Sequence, residues 1–169
     1  MNTYDITFIV DPIDEALEER LLDQDVNTGS HGGLHFVMTT IETDDLHSAA
    51  VELASGLTGQ GVYVHRLDLD LVNQPAIAAR CGKSRQAVNL WVQSNAGSHP
   101  FPPPYTLAGG ALWAWSDVQD WLRRTGKGGN DQVESPSPDQ VDRFNVAWRN
   151  RSRRAHGDLT RMLAQASAS

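Results

Sequence analysis

The chain has 169 residues, long enough for one domain with a substantial core or for two small ones. Its formal net charge is −7, which by itself argues against a nucleic-acid partner. No apolar stretch approaches the length of a membrane span, no secretory n-region and h-region open the chain, and a single cysteine, Cys81, rules out an internal disulfide. A cytosolic location is expected.

The charge is unevenly spread. Residues 1–70 hold two basic side chains against fourteen carboxylates, residues 71–127 six against two, and residues 128–169 six against five. A polyanion responds to the local field rather than to the whole-chain sum, so the middle third remains open to nucleic acid while the first is a strongly acidic lobe.

Tyr4–Val10 alternates and is rich in β-formers, which predicts a strand. Asp11-Pro12 then reads as an N-cap followed by proline at the first helical position, with Ile13, Ala16, Leu17 and Leu21 as the buried stripe. Asp25–Ser30 is a short candidate edge strand, and His31-Gly-Gly33 turns into a half-buried strand over Leu34–Thr43. Asp44 is the expected cap of a helix carrying Leu46, Ala50, Val51, Ala54 and Leu57, and Val62–Leu71 returns as a strand. The order β-α-β-β-α-β predicts a ferredoxin-like α+β lobe over residues 1–71; without the strand at 25–30 the unit reads β-α-β-α-β. Such a lobe hosts many activities. The carboxylates Asp14, Glu15, Glu18 and Glu19 are read as a solvated face and the scattered histidines as structural. With no phosphate-cradling glycine loop, nucleophile elbow or metal-ligand spacing, no enzyme activity, cofactor or metal is expected.

Gln74–Asn95 reads as two short helices joined by a turn. Ile77, Ala78 and Cys81 give the first an apolar face, and Val88, Trp91 and Val92 the second, both at helical spacing. Gly82 stands where the chain must swing sharply, Ala78 is small where the helices cross, and Ser84 is a natural N-cap. Cys81 is expected to be a buried structural thiol. Arg85, Gln86, Asn89, Leu90 and Gln93 are left facing outward, and Arg, Gln and Asn carry the forked donors and acceptors that match base edges in a major groove. A helix-turn-helix with its recognition helix at 84–95 is one reading; a helical hairpin with a solvated polar face is the other.

Gly97–Pro104 is a proline-rich connection that excludes helix. Tyr105–Ala108 and Ala111–Trp115 flank Gly109-Gly110, the pattern of a tight hairpin, and Ser116-Asp-Val-Gln119 predicts a capping box opening a helix with Val118, Trp121 and Leu122 as its core face. Helix-turn-helix, hairpin and helix together make a winged helix over 72–124.

These residues resemble the MerR/AlpA/excisionase-type winged helix-turn-helix. The likeness is carried by Gln74–Asn95, Phe101-Pro-Pro-Pro104 and Leu107–Leu122 with its Asp-Val-Gln-Asp-Trp run, about a third of the chain. It implies sequence-specific binding of double-stranded DNA, usually by a transcription regulator and sometimes by a recombination directionality factor. By position it places Ser84, Arg85, Gln86, Asn89, Leu90 and Gln93 toward the major groove and Gly109 and Gly110 at the wing tip. Lys83 departs from the pattern, standing where an aliphatic usually packs, and the wing tip lacks basic residues. Arg80, Lys83, Arg123 and Arg124 are the expected phosphate contacts.

Residues 125–136 read as a flexible linker. Ser137-Pro-Asp-Gln140 starts a helix over 137–165 with Val141, Phe144, Trp148, Ala155, Leu159 and Met162 at three- and four-residue spacing. That stripe either packs on its own body or pairs with a second copy as a homodimer, and the N-terminal lobe is a second candidate dimer surface. Arg149, Arg151, Arg153 and Arg154 suit phosphate or an acidic lobe of a partner subunit. The leading expectation is a DNA-binding regulator without a membrane partner. The alternative is a protein-interaction module in which the acidic lobe binds a partner and the helix-turn-helix is scaffold.

Overall fold

The computed structural model describes residues 1–94, 98–128 and 132–166, with residues 156, 157, 159 and 164 as backbone only. The described residues are mixed α+β with six helices: β1 (Asn2–Val10), α1 (Glu15–Leu22), β2 (Asn27–His31), β3 (Leu34–Thr43), α2 (Leu46–Gly59), β4 (Val64–Leu67), β5 (Leu71–Val72), α3 (Gln74–Cys81), α4 (Arg85–Gln93), β6 (Trp113–Ala114), α5 (Trp115–Thr125), β7 (Val133–Glu134) and α6 (Pro138–Ala166). Strand order in the main sheet is β2-β3-β1-β4, with β7 added to β1; β5 and β6 form a separate pair. The β1–β4 pairing is antiparallel and the β1–β7 pairing parallel, so the main sheet is mixed. No described helix is long and apolar enough to cross a membrane.

Two compact units divide the chain. The first comprises residues 1–7, 38–44 and 68–138, and the second residues 8–37, 45–67 and 139–169.

In the second unit, Phe8, Leu21, Val37, Ala50, Ala54, Leu57, Val62 and Leu67 are buried, as their apolar alternation and helical spacing require. Helix α1 begins later than the Asp11-Pro12 signal implies. The Asp11 amide is still held by the Tyr63 carbonyl (3.1 Å) and its carboxylate by His65 (2.7 Å), so residue 11 belongs to the strand end. Asp14 takes over as N-cap, accepting from the Leu17 amide at 2.8 Å, and Ala16, expected in the stripe, is exposed. The cap of α2 likewise moves by one residue. Asp45 accepts from the Ser48 hydroxyl (2.6 Å) and amide (3.2 Å), and these bonds hold its carboxyl below the usual range. Asp44 instead meets the N-terminal ammonium at 2.9 Å.

Of the single strand expected over 62–71, Val64–Leu67 forms β4, and Leu71 instead opens β5 in the separate pair. Side chains of α6 occupy the free edge of β4: Asn145 accepts from the Leu67 amide (2.8 Å) and donates to its carbonyl (2.9 Å), while the Trp148 indole donates to the Val64 carbonyl (2.8 Å). Buried backbone polar groups need such partners, and a helix supplies them here in place of another strand. Phe144 is fully buried, its ring 5.5 Å from Phe8 and 5.7 Å from Trp148. The first part of α6 therefore packs on its own unit. Further along, Ala155 and Met162 are exposed, so of the two alternatives packing on its own body holds only for the first part of the stripe; Leu159 lies among the side chains outside the described residues.

In the first unit, the stretch read as a linker contains β7, which pairs Val133 with Thr3 and Glu134 with Tyr4. Gln119 clamps it, donating to the Val133 carbonyl and accepting from the Ser135 amide, both at 2.9 Å. The pairing and the clamp give Val133, Glu134 and Ser135 a fixed place. Gly129, Asn130 and Asp131 of the same stretch lie outside the described residues, as do Asn95, Ala96 and Gly97.

Candidate nucleic-acid interface

Helix α3 starts at Asn73, whose side chain accepts from the Ala76 amide at 2.9 Å, with Pro75 in its first turn. It ends at Gly82, whose φ of 59° and ψ of 35° place it in the left-handed region that glycine enters at least cost. The Lys83 amide returns to the Ala78 carbonyl at 2.9 Å, closing the turn. Ser84 then caps α4, its hydroxyl accepting from the Ala87 amide at 3.1 Å. Ile77, Ala78 and Val88 are buried where the helices meet, and Cys81, Trp91 and Val92 pack partly buried against the same core. The Cys81 thiol is half-buried rather than fully enclosed. Burial pushes its pKa up, a shift opposed by the nearby Lys83 and Arg80 charges.

An aromatic cluster holds α4 in place. The Trp91 ring lies 5.3 Å from Trp121, and Phe101 packs edge-on against Trp121 (4.8 Å) and Trp113 (6.0 Å). The proline-rich segment is fixed by indole donors: Trp113 to the Pro102 carbonyl and Trp121 to the His99 carbonyl, each at 3.0 Å. Buried indoles with satisfied N–H groups favour a single arrangement.

The glycine hairpin is shorter than its flanks suggest. One antiparallel bridge, Thr106 to Leu112, closes it, and Gly109 and Gly110 turn its tip with φ of 73° and 127°. Trp113 and Ala114 leave the hairpin to pair with Val72 and Leu71. Trp115 already opens α5, its amide bound to the Asp70 carbonyl at 2.8 Å, so the expected capping box does not form. The Ser116 hydroxyl is buried and finds no partner among the described residues, and Gln119 serves β7 instead. Leu107 at the tip is 73% exposed.

The structure brings Lys83, Ser84, Arg85, Gln86, Asn89, Leu90 and Gln93 together as exposed side chains along the α3–α4 turn and one face of α4. Helical geometry puts positions 85, 86, 89, 90 and 93 on one arc. Within it the Gln93 amide donates to Asn89 at 3.4 Å, and no partner for Arg85, Gln86 or Lys83 is found among the described residues. Leu90 is 65% exposed, an apolar side chain amid forked polar ones.

The other expected phosphate contacts are differently placed. Arg80 makes a two-pronged pair with Asp70 (2.6 and 3.0 Å) and lies 4.9 Å over the Trp115 ring, beside a cleft of about 780 Å³. Arg123 is bound by Asp120 (2.5 Å) and Glu134 (2.8 Å); burial works against its charge, but these bonds lift its pKa overall. Arg124 reaches the Asp120 carbonyl at 3.4 Å. Lys127, given no role in the sequence reading, sits over Trp121 (4.9 Å) and Trp91 (5.7 Å) at the base of α4. Its position depends on the turn after α5, where Gly126 is left-handed, and no local motif marks it.

Comparison with known proteins gives no matching family model, no matching curated protein and no matching solved structure.

Proposed function

We propose that the protein binds double-stranded DNA in a sequence-specific manner, as a transcription regulator, with α4 entering the major groove. In this reading residues 72–124 are a winged helix-turn-helix and the β2-β3-β1-β4 sheet with α1 and α2 is a ferredoxin-like lobe. The observation that carries it is the outer arc of α4. Arg85, Gln86 and Asn89 are exposed on one face of a helix whose other face is fixed by an aromatic core. Arginine pairs with guanine edges, asparagine and glutamine with adenine, and exposed Leu90 suits a thymine methyl. Lys83, at the turn, supplies a phosphate contact and with it salt dependence. Selection of duplexes from a random pool by the full chain tests the reading. A short enriched motif is expected; binding without enrichment would leave α4 no base-reading role.

A second reading is a protein-interaction scaffold. It draws on the internal pairing of Arg80 and Arg123, which removes two of the six cations counted for this stretch. Under it, no duplex is retained at low salt, and partner capture survives the joint change of Arg85 and Gln86 to alanine.

A further inference from the structure

The C-terminal half of α6 continues the face by which its first half is buried. On a helical projection Val141, Phe144 and Trp148 fall on the same stripe as Ala155, Met162 and Leu163. The first three are buried in the second unit, whereas Ala155 is exposed, Met162 is 67% exposed and Leu163 is 61% exposed. Every described side chain from Arg149 to Ala166 is exposed. This half is also basic, with Arg149, Arg151, Arg153, Arg154 and Arg161 against Asp158. Arg161 pairs loosely with Asp158 (3.8 Å) and Arg151 lies 5.8 Å over the Trp148 ring; no partner for Arg153 or Arg154 is found among the described residues. In proteins most helical stability comes from packing of an amphipathic face rather than from propensity.

The same unit carries a surface of opposite character. The outer face of α1 presents Glu15, Glu18, Glu19 and Asp23 around Leu22, which is 63% exposed. Among the described residues, one side-chain hydrogen bond to these four carboxylates is found, from Thr28 to Glu18 at 3.3 Å.

We propose that the occupant of the basic α6 arm is the acidic α1 face of a second copy of this chain, each copy giving its arm to the other. Charge complementarity sets the pairing and Leu22 meets the exposed Met162 stripe. A two-fold arrangement closes such a reciprocal contact and leaves no arm uncovered. DNA phosphates suit the arginines but offer nothing to the apolar stripe, whereas α1 offers both carboxylates and an exposed leucine. Two arms pairing with each other would bring like charges together.

The test is a charge exchange read by light scattering after size exclusion, on the full chain without DNA, so its outcome is independent of the DNA-binding reading. One variant carries Glu15→Arg and Glu19→Arg, the other Arg153→Glu and Arg154→Glu; circular dichroism checks that each is folded. The unmodified chain is expected to be dimeric and to dissociate as salt rises. Each variant alone is expected to be monomeric, and an equimolar mixture to form heterodimers, since both contacts are then complementary. A monomeric unmodified chain overturns the proposal. So does an α1 variant that remains dimeric, which points to arm-on-arm pairing, or a mixture that does not associate. If either variant is unfolded, Met162→Glu alone decides: retention of the dimer contradicts the contact.

Discussion

Arg80 and Arg85 stand five residues apart, one in the last turn of α3 and the other in the first turn of α4. Arg80 is held by the Asp70 carboxylate and the Trp115 ring, while Arg85 is exposed with no partner among the described residues. Arg123, between Asp120 and Glu134, shares the fate of Arg80; Lys83 shares that of Arg85. A positive side chain contributes to a binding field only to the extent that its own protein has not already neutralised it. Counting cations along residues 71–127 therefore overstates the field: Lys83 at the α3–α4 turn and Arg85 on α4 remain, with Arg124 and Lys127, which meet a backbone carbonyl and two indole rings rather than a carboxylate.

The largest effect is expected where the free arc depends on its foundation. Trp121→Ala removes the ring against which Trp91 and Phe101 pack and should cost about 3–5 kcal/mol of stability, read by chemical denaturation. A cost below 1 kcal/mol would mean that α4 is positioned by something other than the aromatic cluster. Next comes the free arginine. Arg85→Ala should leave stability within about 0.5 kcal/mol while weakening a selected duplex by about 1–3 kcal/mol; a folding defect of similar size would reassign Arg85 to structure.

The paired arginine should respond in the opposite direction. Asp70→Asn removes the charge facing Arg80, and because the pair is partly exposed its loss should cost no more than about 1 kcal/mol of stability. The freed guanidinium should tighten binding at low salt and steepen the salt dependence by about one phosphate's worth, a slope change near 0.9. An unchanged slope would show that Arg80 never reaches DNA even when released. The smallest effect concerns Cys81. Its raised pKa means less thiolate at a given pH in the folded chain, so alkylation near pH 8 should be slower than in the denatured chain. Equal rates would show that the α3 face is less covered than its packing implies.

Much of the scaffold around α4 is written in local signals. Asn73, Gly82 and Ser84 act through their own backbone neighbours, and Ile77, Val88, Val118, Trp121 and Leu122 follow the helical period, so both are visible without tertiary information. The exposed arc of α4 follows by subtraction from that same period. Features that depend on distant partners were not legible. Asp11 reads as a cap, but Tyr63 and His65, more than fifty positions away, hold it at the end of β1. Ser116 and Gln119 read as a capping box, yet Trp115 enters the helix from a strand and Gln119 is drawn to β7. Residues 125–136 carry the glycines of a linker, and pairing with β1 gives part of them a fixed place. The engagement of Arg80 was hidden for the same reason: Asp70 and Trp115 flank it at separations that no helical spacing marks.

The most direct test of the central claim is equilibrium binding of the full chain and its Arg85→Ala variant to two labelled duplexes, the selected site and a scrambled sequence of equal composition. The account predicts that the variant loses about 1–3 kcal/mol on the selected site and almost nothing on the scrambled one, because a base contact carries sequence information and a phosphate contact does not. An equal loss on both duplexes would contradict it and reduce Arg85 to one more positive charge.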